Sequence, residues 1–307
     1  VAETNILYDS LPKDEKRGSK FSKIDGKGGA WYYYIDAIAS VIAGFLYVVN
    51  PYVPLILCLI TCIISAFLSY KFIEIESIPK TKTSTRKYIK ELRASFRHML
   101  QSDRLKYLLI FGAIFSGLLS ALVSLRSGSL EELGVPEQYF GVIFAVLGLI
   151  SGITSRNQYR FHNRFHNKTL AVLSIPTTVS CILVGLTITL KLPYTITLII
   201  VILLFAIQFI AKGPFHTLIR RYLNNFTTSS LRSKISSCYN LIESLSRSLI
   251  SLFASFLLRY TNSVGTICII GCVLTIILVL LLDKMAHKVG LKPEEYKKSE
   301  IEFLELK

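Results

Sequence analysis

The chain has 307 residues, of which 51% are hydrophobic, and a formal net charge of +15. A soluble domain can approach that apolar fraction, so class is set by distribution: apolar residues fall in long blocks and charges lie almost wholly between them. The basic excess therefore sits in loops rather than on a water-soluble domain, which argues against nucleic acid as a partner and for a lipid bilayer.

A membrane span needs roughly 20 apolar residues to cross about 30 Å of hydrocarbon. Eight blocks meet or approach that length: 31–49, 52–73, 107–125, 139–155, 169–190, 193–211, 235–258 and 263–282. Residues 9–29, with Gly18, Gly26, Gly28 and Gly29, read as a polar loop before the first span. Trp31, Tyr32, Tyr33 and Tyr34 read as interfacial anchors at its entry. Asp36 follows about one turn inside; it reads as a site for a proton or cationic substrate, or equally as an interfacial acid near cytoplasmic lysines. Asn50, Pro51 and Pro54 make a very short external turn to the second span.

Residues 74–104 form the longest internal connection. Ile89, Leu92, Phe96 and Met99 recur at helical spacing, with Arg86, Lys90, Arg93 and Arg97 on another face. This is a basic amphipathic helix suited to an anionic membrane surface, or else a solvated linker helix. It divides the chain into 1–79 with two spans, a linker at 80–104, and 105–307 with six spans and a tail.

In the third span, Ser116, Ser120 and Ser124 recur every four residues near Gly112 and Gly117, a stripe that suits a pore lining or close helix packing. Arg126 is expected at its external end, as an anchor, or as a rim salt bridge or gate with Glu131, Glu132 or Glu137. Gln208 and Lys212 share a face near the inner end of the sixth span. Lys212 is expected to snorkel to the cytoplasm, and Gly213-Pro214 to break or bend the helix. In the seventh span, Glu243 and Arg247 sit four residues apart and can pair, as a proton-linked site or a structural pair, with Asn240 on the same side.

No metal is expected: His162 and His166 have the spacing of a helical pair, but their loop is basic and lacks a carboxylate. The cysteines, Cys58, Cys62, Cys181, Cys238, Cys268 and Cys272, read as small packing residues. No cofactor motif, phosphate loop or catalytic triad is legible, which points away from an enzyme.

Alternate loops differ sharply in base content. One set holds 31 of the 35 Lys and Arg, and the opposite set holds Arg126, Lys191 and Arg259. The positive-inside rule then puts both ends of the chain in the cytoplasm, which requires an even number of spans. The chain starts on Val1 rather than Met, so its true N-terminus is expected to lie upstream.

Four stretches carry a family resemblance. They are Leu7-Tyr8-Asp9-Ser10-Leu11 with Lys20-Phe21-Ser22-Lys23-Ile24; Leu130 through Gly141; Gln208-Phe209-Ile210 with Arg221-Tyr222-Leu223-Asn224; and Ser230-Leu231-Arg232-Ser233-Lys234-Ile235-Ser236-Ser237. Their order and spacing resemble the major facilitator superfamily, in particular the drug-efflux-like transporters of Gram-positive bacteria. The resemblance implies an all-α membrane protein of two six-helix bundles around a central cavity, working by alternating access. This chain would then supply spans five to twelve of twelve, with spans one to four missing. The family's loop motif between spans eight and nine would fall at Gly152-Ile153-Thr154-Ser155-Arg156 through Lys168, where the bases remain but no acid is present.

The expected function is secondary active transport of a small solute or drug, with proton-coupled efflux as the coupling mode, in the plasma membrane. Asp36, Gln208, Asn240, Glu243 and Arg247 are the candidates for the substrate and proton pathway. Arg126, Arg156 and Arg232 are the candidates for gate or loop roles. The alternatives are an inactive truncated remnant and a membrane-embedded enzyme with a cytoplasmic catalytic loop.

Overall fold

The computed structural model describes residues 7, 10–12, 17–70, 93, 96–97, 103–165, 168–190, 192–225 and 229–288. Every longer element among them is a helix. In chain order these are α1 (Arg17–Val49), α2 (Tyr52–Ser69), α3 (Asp103–Glu132), α4 (Phe140–Arg156), α5 (Gln158–Phe165), α6 (Thr169–Thr189), α7 (Tyr194–Asn225), α8 (Ser229–Leu257) and α9 (Ser263–Lys288), with a 3₁₀ turn at Glu137–Tyr139. Among the described residues, seven are long and apolar enough to cross a membrane: α1 to α4, α6, α7 and α9. The chain is thus a helical, multi-pass membrane protein.

The expected seventh span, 235–258, lies within α8, which at 29 residues has the length but falls short in apolarity. Glu243, Arg247 and ten serines dilute its leucines.

The first span differs from expectation at its start. Residues 17–29 are helical rather than a polar loop, and the apolar segment of α1 runs from Lys23 to Val49. The glycines there serve close packing. A Cβ on Gly26 would lie 2.7 Å from the Ser155 carbonyl oxygen, and one on Gly29 would lie 2.7 Å from the Ser155 hydroxyl. Glycine costs helix propensity but lets the base of α1 lie against the end of α4.

That close approach continues along the pair. Tyr33, Tyr34, Ala37, Ser40 and Gly44 on α1 face Gly141, Gly148 and Gly152 on α4, and a Cβ on Gly141 would meet the Ser40 carbonyl oxygen at 2.5 Å. Similar contacts bring α6 to α9 (Gly185 to Cys268, Gly271 to Cys181) and α3 to α8 (Gly117 to Ile250). Lipid tails are as apolar as leucine, so association in a bilayer depends on this backbone proximity rather than on a hydrophobic drive.

Helix α3 is the most enclosed element. It packs against α8, α9 and α7; α6 packs against α9 and α7; α4 packs against α7 and α1. Phe115 of α3 meets Phe215 of α7 edge to face, centroids 4.6 Å apart, within a core that includes Phe111, Leu118, Leu122 and Phe205. Helix α2 packs against α1 and buries no residue. In the linker, Phe96 packs half-buried on this core while Arg93 and Arg97 are exposed; the rest of 80–102 lies outside the described residues.

The C-terminal end of α3 is closed by a Schellman motif. Gly134 adopts φ +75°, its N–H bonds Glu131 O at 2.8 Å, and Val135 N–H bonds Leu130 O at 3.0 Å. Glu132 then caps α9, accepting from the N–H groups of Ser263 and Val264, while Asn262 Oδ1 accepts from Gly265 N at 2.8 Å.

Candidate functional site

Three polar residues, Gln208, Lys212 and His216, follow one another at four-residue intervals along α7. That spacing puts them on one face of the helix, over eight residues or about 12 Å of axis. Each meets a different neighbouring helix.

At one end of the ladder, Arg126 of α3 donates from Nε to Gln208 Oε1 at 2.8 Å. Its guanidinium carbon lies 4.7 Å from the ring centre of Phe209 and 6.0 Å from that of Phe205. Gln208 Nε2 donates in turn to Cys181 Sγ of α6 at 3.5 Å. Arg126 is 1% exposed and Gln208 0%. The expectation of Arg126 as a rim anchor is therefore overturned. Helix α3 continues to Glu132, which draws Arg126 inside, and Glu132, one of the three acids named as possible partners, caps α9 instead.

In the middle, Lys212 lies 5.1 Å over the Phe209 ring and 5.8 Å over the Tyr33 ring of α1. Tyr33 Oη donates to the Lys212 carbonyl at 3.3 Å. Its ammonium is held on aromatic faces rather than snorkelling along the helix, which corrects that expectation. Of the expected break or bend at Gly213-Pro214, the break does not occur: α7 runs on through both residues. Gly213 instead admits α4: a Cβ there would meet Ser151 O at 2.3 Å, and Ser151 Oγ donates to Phe209 O at 2.6 Å. Pro214 has no N–H, so the Ile210 carbonyl loses its helical partner.

Asp36 stands on this level too. Because α1 begins earlier than expected, Asp36 falls midway along the apolar segment 23–49 and not at its edge. It is exposed on the helix surface, and its field reaches both Tyr33 and Lys212.

At the other end, His216 Nδ1 lies 3.9 Å from Glu243 Oε1 of α8. The same carboxylate oxygen accepts hydrogen bonds from Ser116 Oγ of α3 and from Arg247 Nη2. Arg247 also donates to Ser116 Oγ from Nη2 at 3.1 Å and from Nε at 3.3 Å. The Glu243 side chain is 12% exposed and that of Arg247 44%. Sequence spacing therefore identified this pair correctly, but missed Ser116 and His216 as its partners. The serine stripe splits: Ser116 serves the ion pair, Gly117 packs on α8, and Ser124 is exposed. Asn240, one turn before Glu243, is half-buried.

The remaining candidates lie elsewhere. Arg156 is exposed in the last turn of α4, where a cation complements the helix dipole. Arg232 falls in the first turn of α8, and its side chain lies outside the described residues. His162 is buried, with Nδ1 2.8 Å from Tyr222 Oη; His166 lies outside the described residues. Among the described residues no group of three or more His, Cys, Asp or Glu side chains could hold a metal.

A charged side chain at the centre of a bilayer costs about 2.5–3.5 kcal/mol on insertion scales. Ionisable groups from α1, α3, α7 and α8 nonetheless converge on the ladder. Such a concentration suits a route or binding site for a polar species better than simple packing, which apolar side chains supply without that cost.

No family model matches the chain, and no curated protein matches it.

Proposed function

We propose that the chain is a secondary active transmembrane transporter of the major facilitator type. It moves a small solute or drug by alternating access, with proton-coupled efflux as the coupling mode, in the plasma membrane. The observation that carries this reading is the α7 ladder, which offers Gln208, Lys212 and His216 to ionisable groups on three other helices.

In this reading α1 and α2 belong to one bundle and α3 to α9, with α8 as a span, to the other. The long 74–104 connection and the loop after α4 lie on the cytoplasmic side, as the Lys and Arg distribution argues. Glu243 and Asp36 are the proton carriers. A proton on Glu243 removes the charge that holds Arg247 and Ser116, weakening the bond between α8 and α3 where the bundle must yield. Gln208, Asn240 and Arg247 line the pathway, and Arg126, Arg156 and Arg232 have gate or loop roles.

The test is solute-driven proton movement in proteoliposomes carrying a pH dye inside. The probes are ethidium, tetraphenylphosphonium, benzoate, glucose and a dipeptide. At least one is expected to move protons with the wild type, and coupling is expected to vanish in Glu243→Gln or Asp36→Asn. Solute flux that survives unchanged in both variants sinks proton coupling. Absence of flux for all five probes, with folded protein, sinks the transport reading.

A further inference from the structure

Charges along the ladder are paired unevenly. Arg247 has Glu243. Lys212 has two aromatic faces. Arg126 has a neutral partner, Gln208, and two phenylalanine rings. No carboxylate lies within ion-pair distance of it among the described residues. Its Nη2 is enclosed and makes no hydrogen bond. It is the largest fully buried side chain in the described structure.

A buried guanidinium of this kind lacks two things, an acceptor for Nη2 and a negative charge. Water supplies the first alone. A carboxylate supplies both, because its planar oxygens match the guanidinium fork. Gln208 leaves that fork open by taking Nε through its carbonyl oxygen and turning its own amide to Cys181. Phe205 and Phe209 line the guanidinium, so the neighbourhood also suits an apolar body attached to the anion.

We propose that Arg126, positioned by Gln208, anchors a binding site for a small organic anion with an apolar body, the carboxylate taking Nη2 and the body lying by Phe205 and Phe209. The site is closed in this structure, since Arg126 is 1% exposed, so an anion enters as the packing around the guanidinium loosens with the Arg126–Gln208 bond intact. This narrows the substrate class of the transport reading and rests on it, yet binding itself needs no gradient. Gln208 is a positioning residue: it fixes the plane of the guanidinium without holding the anion.

The experiment is a thermal-shift titration of the detergent-purified full chain in a low-ionic-strength buffer free of carboxylates. Its ligands are benzoate, the matched neutral amide benzamide, and sodium chloride. Benzoate is expected to raise the melting temperature by a few degrees, and benzamide and chloride to leave it unmoved. Arg126→Gln should abolish the benzoate shift.

Should Arg126→Gln fail to fold, Gln208→Glu decides. It places a resident carboxylate beside the guanidinium, so it should raise the melting temperature without ligand and reduce benzoate affinity at least tenfold. No benzoate shift in the wild type, an equal shift with benzamide, or a shift retained in Gln208→Glu would overturn the proposal. A chloride shift equal to that of benzoate would reject the organic class. Benzoate binding without benzoate flux would keep this site and reject transport of that ligand.

Discussion

Arg126 of α3 and Gln208 of α7 are joined by a 2.8 Å hydrogen bond between two side chains that are almost wholly enclosed. They lie 82 positions apart in the chain, on different apolar helices. This bond ties α3 to α7 at one end of the ladder, as Ser116, Glu243 and Arg247 tie α3 to α8 at the other.

Gln208→Ala should lower the stability of the folded protein by about 1–3 kcal/mol, since it strips the Arg126 Nε of its acceptor and leaves a buried charge less well bonded. Replacing both residues with leucine should recover much of the loss, because no orphaned donor remains. Equilibrium unfolding in mixed micelles measures both. A single variant as stable as the wild type would refute the role given to the bond.

Ser116→Ala should weaken the α3–α8 contact more than Glu243→Gln does. Glu243 and Arg247 both sit on α8, so the bonds of this cluster that cross to α3 all run through Ser116 Oγ, which donates to Glu243 and accepts from Arg247, whereas a glutamine at 243 still accepts from Ser116. Net bonds to charged groups are worth about 1.5–3 kcal/mol and neutral ones about 0.5–1.5 kcal/mol. Protease susceptibility of the two variants should follow that order; the reverse order would contradict it.

Gly213→Val should be among the most damaging single changes in α7. Its Cβ would fall 2.3 Å from a backbone oxygen of α4, which no side-chain rotation relieves. The expected result is loss of folded, monodisperse protein in size-exclusion chromatography. Gly28→Ala, where an added Cβ meets nothing within 4 Å, is the control and should behave as wild type.

Glu132→Ala should cost about 0.5–2 kcal/mol by uncapping α9, while Glu131→Ala on the same turn should stay within about 0.5 kcal/mol. Glu132 meets the N–H groups of Ser263 and Val264, and Glu131 is exposed. Thermal unfolding of the pair distinguishes them, and equal losses would count against the cap.

Whether α8 crosses the bilayer can be read from its ends. Cysteines placed at Asn225 and Asn262 should label from opposite faces with a membrane-impermeant maleimide, the first only after permeabilisation. Labelling of both from outside in intact cells would mean that α8 does not span.

Sequence by itself determined the class of this protein and most of its helices. Long apolar blocks have few solutions in a bilayer, where every backbone polar group needs an internal partner. It also identified Glu243 with Arg247, because residues four apart on one helix must share a face. Partners on other helices were beyond it. Arg126 looked like a rim residue because hydropathy ends a span at the first charge, whereas the α3 backbone runs on to Glu132. Asp36 looked interfacial because Gly26, Gly28 and Gly29 resemble a loop until α4 lies against them. His216 gave no local signal, and Ser116 showed only as one member of a serine stripe. Their meaning comes from the close approach of α3, α7 and α8, which only tertiary packing decides.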